Sequence, residues 1–456
     1  MTPRTLIVAA ALALCATAAS ATDLWQVWQA VRQHDPQGAV NLASRTAGAT
    51  RHEQAAALWR PMVGLSASAG WSSAQSQMNG AQFSTLNSGL SDQANFGTSV
   101  NGGTATRWAL NAKQPLYNPE RRAQSAQLDS AAQASEHAWQ LAQQDWMLQT
   151  TQRYFDVVQA ERRQALVQQQ QQAVDKALTE AKDRFALGDA PVTDIHEAQA
   201  RSRALAVQAI AAGHELDMAR QVLADVTGLP IQTLKLQAPV GVAVVSTPEP
   251  LADWLQRAEQ NNPLRKLQQA QVDAAQQEIE KHRAVAAPAL DLVAQASRER
   301  ISGSGDFGSA SNTQSQQMVG VMLTVPLYTG GWRSAKLQEA THLHAKARAE
   351  LERTRLQVGQ MTRAAWLAVQ SGQARLVALD AARTASQARL ASTQLGRQVG
   401  DRTTLDLLNA QNDASAAELA WLQGQMDTML AQLRLHAMAG QLGETQLQTV
   451  NAVLAH

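Results

Sequence analysis

The chain contains few residues whose types and spacing could support catalysis or ligand binding. Three glycines beginning at Gly303 have the spacing of a dinucleotide-binding loop, but no apolar strand precedes them and no helical pattern follows, as such a loop requires. His214 and Glu215 begin the pattern of a zinc-protease helix, but Met218 occupies the position of the second histidine. No segment has the pattern of a catalytic nucleophile. We therefore expect no enzyme, no metal site and no cofactor.

Two Gly-Asp pairs have more definite consequences for the backbone. Residues 188–189 are followed by Asp194 and residues 400–401 by Asp406, at an offset of 212 residues (400 − 188). Glycine at the end of a helix adopts the left-handed conformation and leaves the backbone open to close approach. We therefore expect an exposed turn between two helices at each pair.

The Gly-Asp signature is one of three that occur twice in the same order. Pro-Leu-Tyr at 115–117 returns at 326–328, at an offset of 211, and Asp-Pro at 35–36 returns as Asn-Pro at 262–263, at an offset of 227. This spacing predicts a duplicated unit of about 200 residues, too long for a solenoid repeat. The first half has 16 extra residues (227 − 211) in a polar Gly/Ser/Asn stretch, where we expect an exposed loop.

Composition and the N-terminus indicate an exported protein. The formal net charge is +1, which gives no indication of a nucleic-acid partner. Residues 1–21 have the pattern of a secretory signal peptide, in which Arg4 supplies the positive charge before an apolar run. A membrane anchor is the alternative, but that run is shorter than the roughly 20 residues that a spanning helix needs. Cys15 is the only cysteine, so the mature chain would contain none.

Most of the remaining chain is predicted to be helical. Long stretches without proline, rich in alanine and glutamine, predict four long helices: residues 121–187, 192–226, 332–399 and 404–439. Gly228 and Gly440 follow the two returning helices, as glycines past a helix end commonly do. Helices of this length need partners, and small side chains let them pack closely. A plain antiparallel bundle and a ring of paired helices both satisfy this requirement.

Two segments predict strands instead. Apolar and polar residues alternate with period two between Pro61 and Pro115, and again between Pro288 and Pro326. Ten-residue alternation is typical of outer-membrane β-barrels, and no later stretch is long and apolar enough for a membrane-spanning helix. Four strands cannot close a barrel, and open edges are not tolerated in lipid. Several chains must then share one barrel. Two chains would make a small, filled barrel, and three are favoured because their long helices would also form a ring.

These features in this order resemble the TolC-type outer-membrane efflux and secretion channels. The resemblance covers essentially the whole chain after the leader. It rests on the duplicated halves, the Pro-Leu-Tyr segments before long helices, the two Gly-Asp tips and the Asp-Pro pair. It implies a mainly α fold with a β-barrel part: a homotrimer with a 12-stranded barrel in the outer membrane and a long periplasmic α-helical barrel. Implied partners are outer-membrane lipid, a periplasmic adaptor (membrane fusion) protein and an inner-membrane ABC or RND transporter.

The resemblance also predicts how the chain is divided. The signal peptide is followed by a first repeat with a strand pair at about 62–116, a linker or equatorial segment, a second repeat with a strand pair at about 289–328, and a tail. The predicted bounds are 1–21, 22–228, 229–250, 251–440 and 441–456.

In the family the hairpin tips bind the adaptor, and a ring of acidic side chains after the second tip closes the periplasmic end. The matching tip positions here are Leu187, Gly188, Asp189, Val399, Gly400 and Asp401. The matching aperture positions are Asp406 and Asn409, three residues apart on one helical face. Asn409 departs from the usual pair of carboxylates, so we expect one carboxylate ring and weaker cation block. Asp194 and Arg402 match positions that hold the closed state through polar links between helices.

Three functions remain open at this point. The favoured one is a passive export duct for type I protein secretion, because a lipid-acceptor cysteine is absent. A drug-efflux duct is the alternative, since the partner pump chooses the substrate. A non-channel coiled-coil structural or adaptor protein is the third, but adaptors carry one hairpin flanked by β-rich modules, whereas this chain predicts two hairpins.

Overall fold

The computed structural model describes residues 22–85, 88–189, 191–231, 236–239, 249–305 and 308–454. The predicted signal peptide and much of the predicted linker lie outside the described residues. The chain divides into two compact units. One comprises the described parts of 1–48, 133–269 and 349–456, and the other comprises 49–132 and 270–348, so each takes residues from both predicted repeats.

The described residues form nine helices and four strands. The helices are α1 Leu24–His34, α2 Pro36–Ala57, α3 Pro119–Ala186, α4 Val192–Thr227, α5 Leu251–Asn261, α6 Pro263–Ala284, α7 Trp332–Gln398, α8 Thr404–Met438 and α9 Glu444–Leu454. The strands are β1 Met62–Thr85, β2 Ser88–Tyr117, β3 Ala289–Gly305 and β4 Gly308–Thr324. The four predicted long helices are confirmed to within two residues at each end. None of the helices in the described ranges is apolar over a length that could cross a bilayer.

The core of the first unit is aromatic and aliphatic. Its largest fully buried side chains come from α1, α3, α4, α8 and α9: Leu24, Trp28, Tyr154, Phe155, Leu223, Met429, Leu433, Leu435, Leu447 and Leu454. The rings of Trp28 and Trp146 pack edge to face, with centroids 5.0 Å apart. Such pairs add to the free energy of burial beyond their contact area. This cluster therefore fixes α1 against α3.

Each of the two X-Pro signatures lies at a junction between two helices. Asp35 ends α1, and its buried carboxylate accepts a hydrogen bond from Trp146 Nε1 at 2.7 Å. Asn262 ends α5, accepts from the backbone N–H of Arg265 and donates to the carbonyl of Met438 at 3.0 Å. Each polar side chain therefore satisfies a buried donor or acceptor while proline begins the next helix.

The predicted C-terminal tail folds onto the N-terminal helix. Leu447, Val450 and Leu454 of α9 are buried. The Asn451 side chain accepts from the backbone N–H of Trp25 at 3.1 Å and donates to Asp23 at 3.1 Å. The two ends of the described chain therefore support one another.

The second unit contains an antiparallel sheet in the order β1-β2-β3-β4. Opposite residues share a face, and one such row is Val63, Ala112, Ala294 and Val319. The next residues in register form a row on the other face, which includes Gly64 opposite Asn111 and Gln295 opposite Met318. The alternation predicted from the sequence is confirmed for the paired segments.

Two details of the predicted strands are wrong. The extra residues of the first half lengthen the hairpin instead of forming a loop: β1 and β2 have 24 and 30 residues, whereas β3 and β4 have 17 each. A longer ladder satisfies backbone groups that a loop would leave to solvent. β4 also ends at Thr324, before the expected 328, and Gly330 and Gly331 turn the chain ahead of α7 with φ of 61° and 83°.

The glycine motif in the sheet is a hairpin end. Gly303 and Gly305 lie at the end of β3, and Gly308 begins β4. Gly305 is paired with Gly308 across the antiparallel ladder. A strand, β4, and not a helix follows this motif.

We predict that Leu447→Ala lowers the free energy of unfolding by about 2–5 kcal/mol, because it opens a cavity at a fully buried position. Gln448→Ala, at the next and exposed position of α9, should change it by less than about 0.5 kcal/mol. Denaturant unfolding of the two variants compares them. Equal stability of both variants would contradict the docking of α9.

Candidate functional site

The first hairpin tip joins α3 to α4 through a glycine turn. Gly188 has φ of 81°, and its N–H donates to the carbonyl of Phe185 at 2.9 Å. The N–H of Asp189 donates to the carbonyl of Arg184 at 2.8 Å. These two bonds form a Schellman motif, which satisfies the last carbonyls of the helix. Leu187 is 77% exposed immediately before the glycine.

The second tip, between α7 and α8, has the same geometry. Gly400 has φ of 83°, and its N–H donates to the carbonyl of Arg397 at 3.1 Å. The N–H of Asp401 donates to the carbonyl of Gly396 at 2.8 Å. Val399 is 74% exposed. Each tip therefore presents an apolar side chain beside open backbone, and a Cβ added at either positive-φ glycine would meet no heavy atom within 4 Å.

The returning helices begin differently after the two tips. α4 follows Pro191, which supplies no side-chain cap, and Asp194 is the acidic residue of its first turn. α8 follows Thr403, whose hydroxyl accepts from the backbone N–H of Asp406 at 3.0 Å. The Asp406 carboxylate accepts in return from the backbone N–H and hydroxyl of Thr403, at 3.0 and 2.9 Å. This is a capping box.

The capping box sets the charge state of Asp406. Hydrogen bonds from the backbone N–H and then the hydroxyl of Thr403 lower the pKa of Asp406, and the charges of Arg402 and Arg389 act in the same direction. A carboxylate whose pKa is lowered stays ionised further into acid. Asp406 is thus a negative group held at the start of α8, one turn before Asn409.

Asn409 has a partner that the sequence did not indicate. Its Oδ1 accepts from Arg201 Nη1 of α4 at 3.0 Å. Both residues line a cleft of about 260 Å³ formed by side chains of α3, α4 and α8, among them Val174 and Leu408. The residues are 208 positions apart in the chain. No local spacing rule relates them.

The predicted gate residues are not brought together within one chain. Among the described residues, neither Asp194 nor Arg402 has a side-chain hydrogen bond or ion pair, although Arg402 contributes its charge to Asp406. Arg402 lies against Gly396, where an added Cβ would be 2.8 Å from its Cγ. The prediction concerned links between neighbouring helices of the assembly. It stays a prediction.

Ion pairs between the hairpins are a second feature that sequence reasoning missed. Arg397 pairs with Glu180, which connects α7 to α3 close to the tips. Farther along, Arg162 of α3 lies 2.9 Å from Glu418 of α8. Exposed pairs of this kind are each worth about 0–1 kcal/mol. These ion pairs contribute little to stability, and their main effect is on which helices lie next to one another.

The described residues contain no group of three or more His, Cys, Asp or Glu that could hold a metal ion. The features that characterise the tips are charge, exposed backbone and the packing of small residues. The candidate site is therefore the exposed surface of the two tips, with the polar group of Asp406 fixed at the start of α8.

Comparison with known proteins bears on this site. Residues 254–441 match the family model described as outer membrane efflux protein. The chain is similar to the outer membrane protein TolC of Escherichia coli, with 25% identity over 95% of this chain and 85% of that protein. It is similar to the proteases secretion protein PrtF of Dickeya chrysanthemi, with 26% identity over 75% of this chain and 74% of that one. It is also similar to protein CyaE of Bordetella pertussis, with 30% identity over 72% of this chain and 68% of that one.

A solved structure shares the fold. The outer membrane protein VceC from Vibrio cholerae superposes with a TM-score of 0.69, covering 91% of this chain and 96% of VceC. The sequence identity is 18%, so the likeness concerns the fold alone.

We predict that Gly400→Ala destabilises the second tip by about 1–2 kcal/mol, because an alanine side chain has free space there but the backbone is left-handed. Gly213→Ala is the matched control. Gly213 lies within α4, where an added Cβ would be 3.6 Å from Gln164 Nε2, and alanine should stabilise the helix by about 0.5–1 kcal/mol. Hydrogen exchange of the peptide that contains each substituted position, compared with the parent chain, measures both. Faster exchange in Gly213→Ala than in Gly400→Ala would contradict the assigned turn.

We predict that Thr403→Ala frays the start of α8 by about 1 kcal/mol, since it removes the N-cap side chain. It should also raise the pKa of Asp406 toward its ordinary value. The ionised Asp406 carboxylate contributes to stability. This contribution is complete at pH values above the pKa of Asp406 in the unfolded chain. It is lost as the pH falls through the lower pKa of Asp406 in the folded protein.

The loss should therefore be smaller and end at a higher pH in Thr403→Ala than in the parent chain, although it begins near the same unfolded-state pKa in both. Hydrogen exchange of peptides from the first turn of α8, corrected for the intrinsic pH dependence, measures this shift. Thr404→Ala, one residue later and outside the capping box, is the control. A Thr404→Ala profile shifted as far as that of Thr403→Ala would contradict the role of the cap.

Proposed function

The chain belongs to the TolC-type outer membrane efflux protein family, and from that premise we propose that three copies form a channel-tunnel for export across the outer membrane. The duct has no catalysis of its own. It acts with a periplasmic adaptor and an inner-membrane transporter. A duplicated hairpin fold contributes two long hairpins per chain and six to the trimer.

The observation that carries this proposal is the exposed apolar face of the sheet. Val63 and Leu65 of β1 are 67% and 72% exposed, and Val319 of β4 is 78% exposed. They share a face with Leu110 and Ala294 through the strand register. Contiguous exposed apolar surface of this kind marks a contact with lipid or protein. In our proposal this face contacts outer-membrane lipid.

The sheet edges support the number of copies. β1 and β4 are the two edge strands of the four-stranded sheet. An unpaired edge leaves a row of backbone N–H and C=O groups unsatisfied, which hydrocarbon does not tolerate. Pairing of β4 with β1 of the next copy satisfies every edge. Three copies then give a 12-stranded barrel whose polar face lines the lumen.

We also infer that the two hairpin tips bind the adaptor. The exposed Leu187 and Val399 each precede a glycine with open backbone, so a partner helix could approach closely at either tip. Asp406 and Asn409 follow the second tip and form the aperture. Asp194 and Arg402 link neighbouring helices in the closed state.

Protein secretion is the favoured cargo class. The similarity to a proteases secretion protein and the lack of cysteine after residue 15 support it. Drug efflux is the second candidate, supported by the family model for efflux proteins. A gene for an ABC transporter beside this one would favour secretion, and a gene for an RND pump would favour drug efflux.

Reconstitution tests the channel itself. The full-length protein, purified in detergent and added to a planar lipid bilayer, should produce discrete conductance steps, and it should cross-link as a trimer. A protein that is soluble without detergent and produces no conductance would exclude the channel and favour a coiled-coil structural or adaptor protein.

We predict that Asp406→Ala weakens block of the pore by divalent and trivalent cations, because a ring of carboxylates concentrates cations at the aperture. Asp406→Asn is the matched variant, since its side-chain oxygen can still accept from Thr403 while the charge is lost. Both variants should lose block to a similar extent in single-channel recordings. Cation block that is unchanged in both variants would contradict the placement of Asp406 at the aperture.

A further inference from the structure

One of the two proposed aperture positions makes a contact between helices that are distant in the sequence. Arg201 of α4 donates from Nη1 to Oδ1 of Asn409 on α8 at 3.0 Å. Its Nη2 lies 3.9 Å from Oε1 of Glu197, one turn earlier on α4. The guanidinium therefore connects the returning helix of one hairpin to the returning helix of the other.

The helix positions explain why Arg201 reaches this place. Asp194 and Arg201 are seven residues apart, so they lie on the same side of α4 with Ala198 between them. Ala198 is buried, and its small side chain lets α4 pack closely. Arg201 extends from this face into the cleft that it shares with Asn409, and its side chain is 34% exposed at the mouth.

The charges around the cleft leave Arg201 incompletely balanced. Asp413 of α8 is engaged by Arg389 of α7 at 2.8 Å. From α3, the cleft is lined by the uncharged Gln170 and Val174. Asn409 is neutral, and among the described residues the only carboxylate in an ion pair with Arg201 is that of Glu197, which is 51% exposed. A pair this open to solvent offsets little of the charge.

We propose that Arg201 is a specificity-determining residue of the aperture. Its guanidinium, held by Asn409, places a ring of three positive charges one turn from the ring of Asp406 carboxylates. The aperture then carries adjacent rings of opposite sign in place of two negative rings, and it attracts cations less strongly. This assignment rests on the proposed function, because it needs Asp406 and Asn409 to lie at the aperture of a trimer.

The same contact explains why an amide suits position 409. The Asn409 oxygen accepts one hydrogen bond from Arg201 without cancelling its charge. An aspartate there would form an ion pair and neutralise the guanidinium. Arg201 and Asn409 thus act as one unit: the amide positions the charge and the guanidinium supplies it.

Single-channel recordings of Arg201→Gln in planar bilayers test the proposal. We expect the reversal potential in a KCl gradient to shift toward greater cation selectivity, and Mg²⁺ to block at an about three- to tenfold lower concentration. Arg201→Lys should retain the parent values, because the positive charge remains. Thermal unfolding of each detergent-solubilised variant verifies that it folds.

Arg203→Gln is the matched control. Arg203 is exposed and lies two residues further along α4, on another side of the helix. Its loss should leave selectivity and block near the parent values. An equal shift in Arg203→Gln would show that net charge alone matters and would overturn the role of Arg201.

The remaining outcomes separate this proposal from the one it rests on. If Asp406→Asn changes block but Arg201→Gln does not, the aperture stands and Arg201 is not part of it. If the channel conducts but neither variant changes cation block, the assignment of the aperture is wrong. The role of Arg201 is then wrong as well. A parent protein that never conducts would contradict the proposed channel, and with it the roles assigned to Asp406 and Arg201.

Discussion

The first unit depends on the position of one indole. Trp146 of α3 packs edge-on against Trp28 of α1 and donates its N–H to the buried carboxylate of Asp35. A buried carboxylate is costly unless hydrogen bonds compensate it, and a buried N–H is costly without an acceptor. The contact meets both needs at the junction between α1 and α2. It thereby fixes where the short helices meet the long one, and α9 packs on the same core.

Away from this core the long helices are held by weaker means. Closer to the tips lies a separate and smaller apolar cluster, whose buried members are Val174, Ala177 and Leu408. Ion pairs such as Arg397–Glu180 supply the remaining cross-links between hairpins. Such contacts are individually small and exchange readily with water. The tips are therefore held by weaker contacts than the core of the first unit.

The sheet imposes the opposite constraint, because it is incomplete by itself. It has two free edges and an apolar face that the described chain leaves exposed. Further copies and lipid are the surroundings that would satisfy both features in our proposal. The chain therefore combines a unit with its own core and a sheet whose edges and apolar face are covered only in the assembly that we propose.

The sequence by itself determined the elements with local causes. Proline and glycine positions predicted where the long helices begin and end, since a helix end needs only its own residues. The alternation of side chains predicted four strands for the same reason. The ordered signatures were enough to indicate the family. The turns at Gly188 and Gly400 could likewise be predicted from the sequence.

Only the tertiary structure decided which distant residues meet. Arg201 and Asn409 are 208 positions apart, and Arg397 and Glu180 are 217 apart. Their pairing depends on how four helices pack, which no spacing rule encodes. The same holds for α9 docking on α1 and for the longer first hairpin, where pairing with a second strand turned an expected loop into a ladder. Local propensity selects the elements, whereas contacts between them depend on geometry that arises only when the whole chain has folded.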